Sequence, residues 1–378
     1  MPVIDLGYNE RRIIEVLRTS GPMLRPRIAE ITELTTATLS RLSASLIDAG
    51  LLNETDPVRS GGRGQPGRLL ELAADGAFSV GIAITWESLS ICLIDFLGAV
   101  RREERVVLRD LDPLAVLAIV ARQLDRLLAG HPKARKRLLG VGMTLPGDFN
   151  VIEGHINPVE EFAAWAPLDI ASTFSEKLNV PVWYEKDGNV AALSEAYFGV
   201  GRDFDNFALV YLSEGIGGGL IQGRRLFRGT NGNAGQFGGL YPRGRPRPSG
   251  GDLLELLAAN GSDIHELETL DIERVPKDLL DEWVDQASRQ LAEMFLTIFK
   301  VVDPQAIVLG GIIAKPLMDL LLAATVARQS FETEGLRREP KMLMSSLVGR
   351  GPYLGAATLP IYHLSAPSDY IGRALKGW

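Results

Sequence analysis

The sequence predicts an α/β protein in which an N-terminal winged helix-turn-helix precedes a body of two mixed-sheet lobes with helices packed on them. Three observations predict it. Residues 22–52, PMLRPRIAEITELTTATLSRLSASLIDAGLL, read as two short helices about a tight polar turn, with Leu39, Leu42 and Leu46 at the i, i+3, i+7 spacing of one apolar helix face. Two apolar runs, Leu51-Leu52 and Leu69-Leu70, flank a loop rich in Gly, Pro and Arg, the composition of a β-hairpin wing. From Phe78 onward, strand-like runs alternate with periodic helices, and 378 residues exceed one ordinary core. The expected division is a head at 1–75, one lobe at 76–195 and a second at 196–378, where a dimerisation surface is also expected.

The first helix is expected over Tyr8 to Thr19, where Ile13, Ile14, Val16 and Leu17 form a stripe that Ser20-Gly21-Pro22 ends. Arg25-Pro26 opens the second, because Pro at the first helical position loses nothing by lacking an N–H. Its core face should be Ile28, Ala29 and Ile31. Thr32-Glu33-Leu34 makes the turn, Thr35 or Thr36 caps the third helix through a side-chain oxygen, and Gly50 stops it. Beyond the boundary at Ala74-Asp75-Gly76, residues 79–108 look like an antiparallel meander with Gly98 in a turn. A periodic helix then ends at Gly130. LLGVGMTLPGDF is a buried strand entering a Pro-Gly loop, VPVWYEKDGNVAAL a strand, loop and helix, and FALVYLSEGIGGGLIQGRRLF a hairpin with a glycine-rich turn. The last third alternates a long helix ending near Asp303, the strand QAIVLGGII, and a helix from Lys315 into the 330s.

Charge sharpens the division of labour. The chain carries −7 overall, yet residues 1–72 hold nine Arg against nine Asp or Glu, so the whole excess lies downstream. No whole-chain basic field draws this protein to nucleic acid or an anionic membrane, and any DNA contact falls to the head. One cysteine, Cys92, excludes an internal disulfide and a multi-cysteine zinc site. With neither a signal-peptide pattern at the N-terminus nor an apolar run of roughly 18 to 20 residues, a cytoplasmic protein that does not enter the membrane is expected.

A recognition helix presents its N-terminal exposed side chains to base edges in the major groove. With Leu39 and Leu42 turned inward, that face is Thr36, Ala37, Thr38, Ser40 and Arg41. The wing adds Arg59, Arg63, Gln65 and Arg68, on a loop slim enough for a narrow minor groove. Double-stranded DNA is therefore the expected partner of the head.

Downstream, the motifs come in a telling order: Val80-Gly81-Ile82, Leu145-Pro146-Gly147, Glu185-Lys186-Asp187-Gly188-Asn189, Gly215-Ile216-Gly217-Gly218-Gly219, Gly232-Asn233-Ala234-Gly235-Gln236-Phe237-Gly238, and Asp303 to Gly311. With the head in front, this series resembles the ROK family of repressors, open reading frames and kinases. The resemblance implies the two-lobed actin-like ATPase (ribonuclease H-like) fold and a small carbohydrate-like ligand. It also implies Asp187 as the equivalent of the kinases' catalytic base.

Several positions depart from the kinase pattern. The family's first phosphate hairpin is acidic and glycine-rich, but this chain has Thr85-Trp86-Glu87-Ser88 there. Glu214 stands in the second phosphate loop, where a carboxylate repels polyphosphate. Asp187 is partnered by Lys186 rather than Asn, Gln236 replaces a Glu, and Gly239 replaces the His shared by the sugar and zinc sites. Zinc is thus excluded by ligand count, and no cofactor is expected. Arg243, Arg245 and Arg247 replace the zinc segment and form either an anion-binding loop or a solvated loop or subunit contact. The resemblance points to Asn157, Glu161, Lys186, Asp187, Gly235 and Gln236 as effector contacts; Trp165, in the same segment as Asn157 and Glu161, fits the core better than a ligand platform. The bland reading of Asp187 is a helix N-cap. The expected function is a DNA-binding regulator, a repressor of carbohydrate-related genes, acting as a homodimer or higher oligomer without catalysis. The alternative is an ATP-dependent sugar kinase with a fused head.

Overall fold

The computed structural model describes residues 6–56, 67–150, 155–241, 244–331, 333, 335 and 337–365. The head opens with α1 (Tyr8–Ser20), β1 (Met23–Leu24), α2 (Arg25–Thr32) and α3 (Thr36–Asp48), followed by β2 (Leu52–Glu54) and β3 (Leu69–Leu72). Pro26 sits in the first turn of α2, and Glu33, at φ 53°, supplies the left-handed residue of the turn. Thr35 caps α3, its hydroxyl accepting from the Thr38 amide at 3.2 Å. Ile13, Ile14, Leu17, Ile28, Leu39, Leu42 and Leu46 close a core that the three-stranded sheet β1-β3-β2 completes. One expected core residue is displaced: Ile31 is 39% exposed. Thr32 is buried in its stead, one turn after Ile28, and its hydroxyl donates to the Ile28 carbonyl at 2.6 Å. The short helix therefore needs no third aliphatic residue to close its inner face.

A single 3₁₀ turn, Ala74–Gly76, leads into the meander β4 (Phe78–Ile84), β5 (Ser88–Asp95) and β6 (Val100–Val107). Next come α4 (Pro113–Ala129), α5 (Pro132–Arg137), β7 (Leu138–Thr144), β8 (Gly147–Asn150), β9 (His155–Pro158), α6 (Ile170–Leu178) and β10 (Val182–Tyr184). The remaining elements are α7 (Asp187–Phe198), β11 (Phe207–Leu212), β12 (Ile216–Gln222), β13 (Arg225–Phe227), α8 (Gly250–Ala259), α9 (Lys277–Val302), β14 (Ala306–Gly311), α10 (Lys315–Arg328), β15 (Lys341–Met344) and α11 (Gly351–Ser365).

Two compact units result, one drawn from Met1–Pro146, Ile152–Tyr184 and Ala356–Trp378, the other from Gly147–Val151 and Glu185–Gly355. Residue 195, the expected lobe boundary, lies inside α7. In the first unit the sheet order is β10-β7-β4-β5-β6, with β4-β5-β6 antiparallel and β7 and β10 parallel to β4. In the second the order is β13-β12-β11-β14-β15, again three antiparallel strands followed by two parallel ones. Each unit thus repeats one topology, which no sequence repeat announces.

β4 is buried along its whole length, as a central strand covered on both faces must be. Val80 and Ile82 face α4 through Val116, Val120 and Leu124, while the Ser79 hydroxyl on the other face donates to the Ala357 carbonyl of α11. In the second unit Val210, Ile307 and Leu309 meet Leu291, Phe295 and Ile298 of α9 and Leu317 and Leu321 of α10.

The glycines Gly217, Gly218 and Gly219 lie within strand β12 rather than in the expected turn; that reversal is Ser213–Gly215. The reason is close helix packing. A Cβ on Gly188 of α7 would lie 2.4 Å from the Gly218 nitrogen, so helix and strand touch backbone to backbone.

Candidate functional site

The head carries the first candidate surface. Thr36, Ala37, Ser40 and Arg41 are exposed along α3, beside the partly buried Thr38. Thr38 is occupied by the cap: its hydroxyl accepts from the Thr35 hydroxyl at 2.9 Å. That leaves Arg41 as the long cationic side chain of this face. Arg68, 56% exposed, pairs with Glu54 at 3.5 Å, and Arg25 holds the other oxygen of the same carboxylate at 2.5 Å. The Arg25 hydrogen bond, with the charge of both arginines, keeps the Glu54 carboxyl below its ordinary range. Arg59, Arg63 and Gln65 lie outside the described residues.

The second candidate is built where β10 gives way to α7. Lys186 is the N-cap of α7, and Asp187 is its first helical residue, one position inside the expected N-cap. Carboxylates are favoured in a first helical turn because the unbonded N–H groups there carry partial positive charge. The Asp187 Oδ1 accepts from the Gly188 amide at 2.6 Å. Burial nonetheless lifts its carboxyl to about 6, against the opposing effects of that bond and of Lys186. Burial also lowers the Lys186 ammonium, while Asp148, Glu185 and Asp187 pull it back up. Its Nζ donates to the Ala234 carbonyl at 3.5 Å.

Residues not singled out from the sequence hold this corner together. Glu185, buried, pairs with Arg228 at 2.6 Å and accepts from the Asn189 amide at 2.8 Å and the Lys186 N–H at 3.0 Å. The 228–235 segment is thereby fastened onto the start of α7. Glu185 and Asn189 stand four apart, the spacing of helical neighbours, but Arg228 gave no local signal. Gly235, at φ 83°, packs against Gly218, whereas Gln236 is exposed and begins the 3₁₀ turn Phe237–Leu240. The structure thus brings together Lys186, Asp187 and Gly235 and leaves Gln236 at the rim. Asn157 in β9 and Glu161 in the turn Glu160–Trp165 are exposed residues of the other compact unit.

The two turns that the resemblance sets against phosphate loops are closed by contacts of their own. In the β4–β5 turn the Thr85 amide donates to the Ser88 carbonyl at 2.8 Å, and Trp86 lies edge-on to Phe162 at 6.2 Å. In the β11–β12 turn the carbonyls of Ser213 and Glu214 accept from Gly250 and Gly251, the first amides of α8, at 2.7 and 3.1 Å. Those are the N–H groups a phosphate at a helix start would need. Buried Tyr211 of β11 has its hydroxyl pushed well above the phenol range by burial, with Asp187, Glu214 and Glu268 adding to the shift.

Trp165 is fully buried, donates to the Leu111 carbonyl at 2.8 Å and stacks on Phe174, so it is core. Of the cationic loop, Arg247 is paired with Asp252 at 3.3 Å, and Arg243 lies outside the described residues. Among the described residues no group of three or more His, Cys, Asp or Glu is placed to hold a metal ion, and no helix is long and apolar enough to cross a membrane.

Comparison with known proteins places these features. The family model described as ROK family matches residues 79–361. The chain is 32% identical over 367 residues to the uncharacterized protein y4fQ of Sinorhizobium fredii, covering 96% of this chain and 93% of that one. It is 25% identical over 370 residues to the xylose repressor of Bacillus subtilis, covering 94% and 95%. Among solved structures, a ROK family transcriptional regulator homologous to the Escherichia coli MLC protein superposes with a TM-score of 0.73 at 21% identity, covering 95% of this chain and 96% of that one. A ROK hexokinase from Thermus thermophilus superposes with a TM-score of 0.58 at 23% identity, covering 79% of this chain and 99% of that one.

Proposed function

The chain belongs to the ROK family, and we propose that it is a DNA-binding repressor of carbohydrate-related genes, governed by a small sugar-like ligand. The ligand binds at the Lys186–Asp187 corner of a catalytically degenerate body. The observation that carries this reading is the head itself: a capped helix-turn-helix with Arg41 exposed, in a chain that aligns along 94% of its length with a relative named as a xylose repressor. The body supports it. Lys186 stands beside Asp187, the carboxylate equivalent to the kinases' base, Trp86 packs on Phe162 at the first hairpin, and the α8 amides are spent on loop carbonyls. Uncharged hydroxyls suit a corner where Lys186 feels the charges of Asp148, Glu185 and Asp187, because a carboxylate such as that of Asp187 accepts a hydrogen bond from a hydroxyl without a further charge being brought in. Two such heads in a dimer would read half-sites about one helical turn apart.

The test is a band shift with duplex DNA from upstream of the chain's own coding region. Wild type retards it, Arg41→Ala weakens retention at least ten-fold, and full retention by that variant sinks the assignment of the reading face.

One observation keeps a second reading alive. A carboxyl raised to about 6 at a helix start is in the range of a general base, as a sugar kinase with a fused head would require. ATP-dependent phosphorylation of a hexose, abolished in Asp187→Ala, would establish the kinase instead.

A further inference from the structure

The head is fastened to the first unit's sheet rather than tethered to it. Within that unit the connecting turn Ala74–Gly76 is held by contacts at each of its residues, with Asp75 itself exposed. The Phe96 amide donates to the Ala74 carbonyl at 3.0 Å, and Lys133 holds Asp75 at 2.7 Å. A Cβ on Gly76 would stand 2.7 Å from the Gly50 carbonyl oxygen, so the turn lies directly against the backbone that follows α3. Two arginines of α1 bond outward to backbone carbonyls. Arg18 donates to Phe96 at 2.8 Å with its guanidinium 4.7 Å above the Phe96 ring, and Arg11 donates to His363 of α11 at 3.0 Å.

The centre of the fastening is Arg137, the last residue of α5. Its Nε donates to the Gly76 carbonyl at 2.6 Å, and its Nη2 donates to the Ala49 carbonyl at 2.6 Å. Ala49 is the C-cap of α3, so one guanidinium spans the connecting turn and the end of the recognition helix. The last carbonyls of a helix have no partner within it and carry partial negative charge, which favours a cation there. The planar fork of an arginine reaches two carbonyls at a fixed angle, which a lysine ammonium cannot do. Gly50, at φ 69°, lets the chain reverse beneath that fork: a Cβ there would be 3.3 Å from the Arg137 Nη2. No other cation is bonded to the α3 terminus among the hydrogen bonds of the described residues.

We infer that Arg137 is the positioning residue of the head, fixing the direction in which α3 is presented to DNA. Preorganisation of this kind raises affinity by removing orientational freedom before docking rather than by adding a contact. DNA binding is taken from the function proposed above, whereas the rigidity of the head stands on these contacts alone.

The experiment uses the full chain with a fluorescent dye on Ser45→Cys, an exposed α3 position one turn beyond Arg41, the binding measurements being made on unlabelled protein; the native Cys92 is buried. Time-resolved anisotropy, circular dichroism and binding of unlabelled protein to the upstream duplex are measured for Arg137, Arg137→Ala and Arg137→Lys. With Arg137 in place, the dye follows the slow tumbling of the whole molecule. Arg137→Ala should gain a nanosecond rotational component with unchanged circular dichroism and bind DNA at least ten-fold more weakly, and Arg137→Lys should fall between. If Arg137→Ala does not fold, the same outcomes are read from Arg137→Lys. An unaltered anisotropy decay overturns the inference, as does a loosened head that binds DNA within two-fold of the parent, or loss of fold in both variants. If the parent binds no DNA while the alanine variant still gains the fast component, the lock stands and the function proposed above fails.

Discussion

Replacing Asp187 by Asn will stabilise the protein at neutral pH and do so less in acid. Burial lifts this carboxyl from 3.8 to about 6, so the folded chain holds the proton more tightly than the unfolded chain does. Below pH 3.8 both states are protonated and the site contributes nothing. As pH rises from there to about 6 the unfolded chain ionises first and stability falls; above about 6 the full penalty is present. A shift of roughly two units corresponds to about 3 kcal/mol, and the attraction of Lys186 and the Gly188 hydrogen bond are already contained in it. Asn cannot ionise, so at pH 8 the variant should gain up to about 3 kcal/mol, and at pH 5 about half of that. Urea denaturation followed by tryptophan fluorescence at the two pH values measures the difference. A variant less stable than the parent at pH 8, or one that gains equally at both, refutes the reasoning. The gain also carries meaning for function, because a carboxylate retained at such a penalty is expected where activity needs it.

Three further outcomes follow from the same geometry. Gly218→Ala will unfold the second unit or lower its melting midpoint by at least ten degrees in calorimetry, because its Cβ would lie 2.3 Å from Phe237 and 2.6 Å from the Leu209 carbonyl oxygen. Glu54→Gln will tighten binding to duplex DNA of arbitrary sequence by about three-fold or more at low salt, since it releases Arg68 and removes a charge facing phosphate. Titration by fluorescence anisotropy reads that, and weaker binding would mean that Glu54 serves mainly to hold Arg25. Arg228→Ala will leave Glu185 buried without its ion-pair partner and cost about 3 kcal/mol or more in denaturant titration.

Local signals made much of this legible. The Thr35 cap, the Leu39-Leu42-Leu46 stripe and Gly50 define α3 from neighbours within one or two turns, and the meander and the Gly130 stop were equally local. What the sequence hid depends on distant partners. Arg228 meets Glu185 across 43 residues, and Arg137 meets Ala49 across 88. Gly217 to Gly219 read as a turn because glycine breaks strands in isolation, but here they admit α7 against β12. Ile31 is apolar yet exposed because Thr32, its hydroxyl satisfied by the Ile28 carbonyl, closes the helix face as well as an aliphatic residue would. The wing residues Arg59, Arg63 and Gln65 rest on the sequence alone.

The central claim is that a sugar-like ligand at the Lys186–Asp187 corner governs the DNA head. The most direct measurement is a titration of the full chain against its upstream duplex by fluorescence anisotropy, repeated with a panel of neutral sugars that includes xylose and N-acetylglucosamine. The account predicts that at least one sugar shifts the DNA dissociation constant ten-fold or more in the parent and leaves it unchanged in Asp187→Asn. A duplex bound with the same affinity across the whole panel, or a sugar response that survives the loss of Asp187, would contradict it.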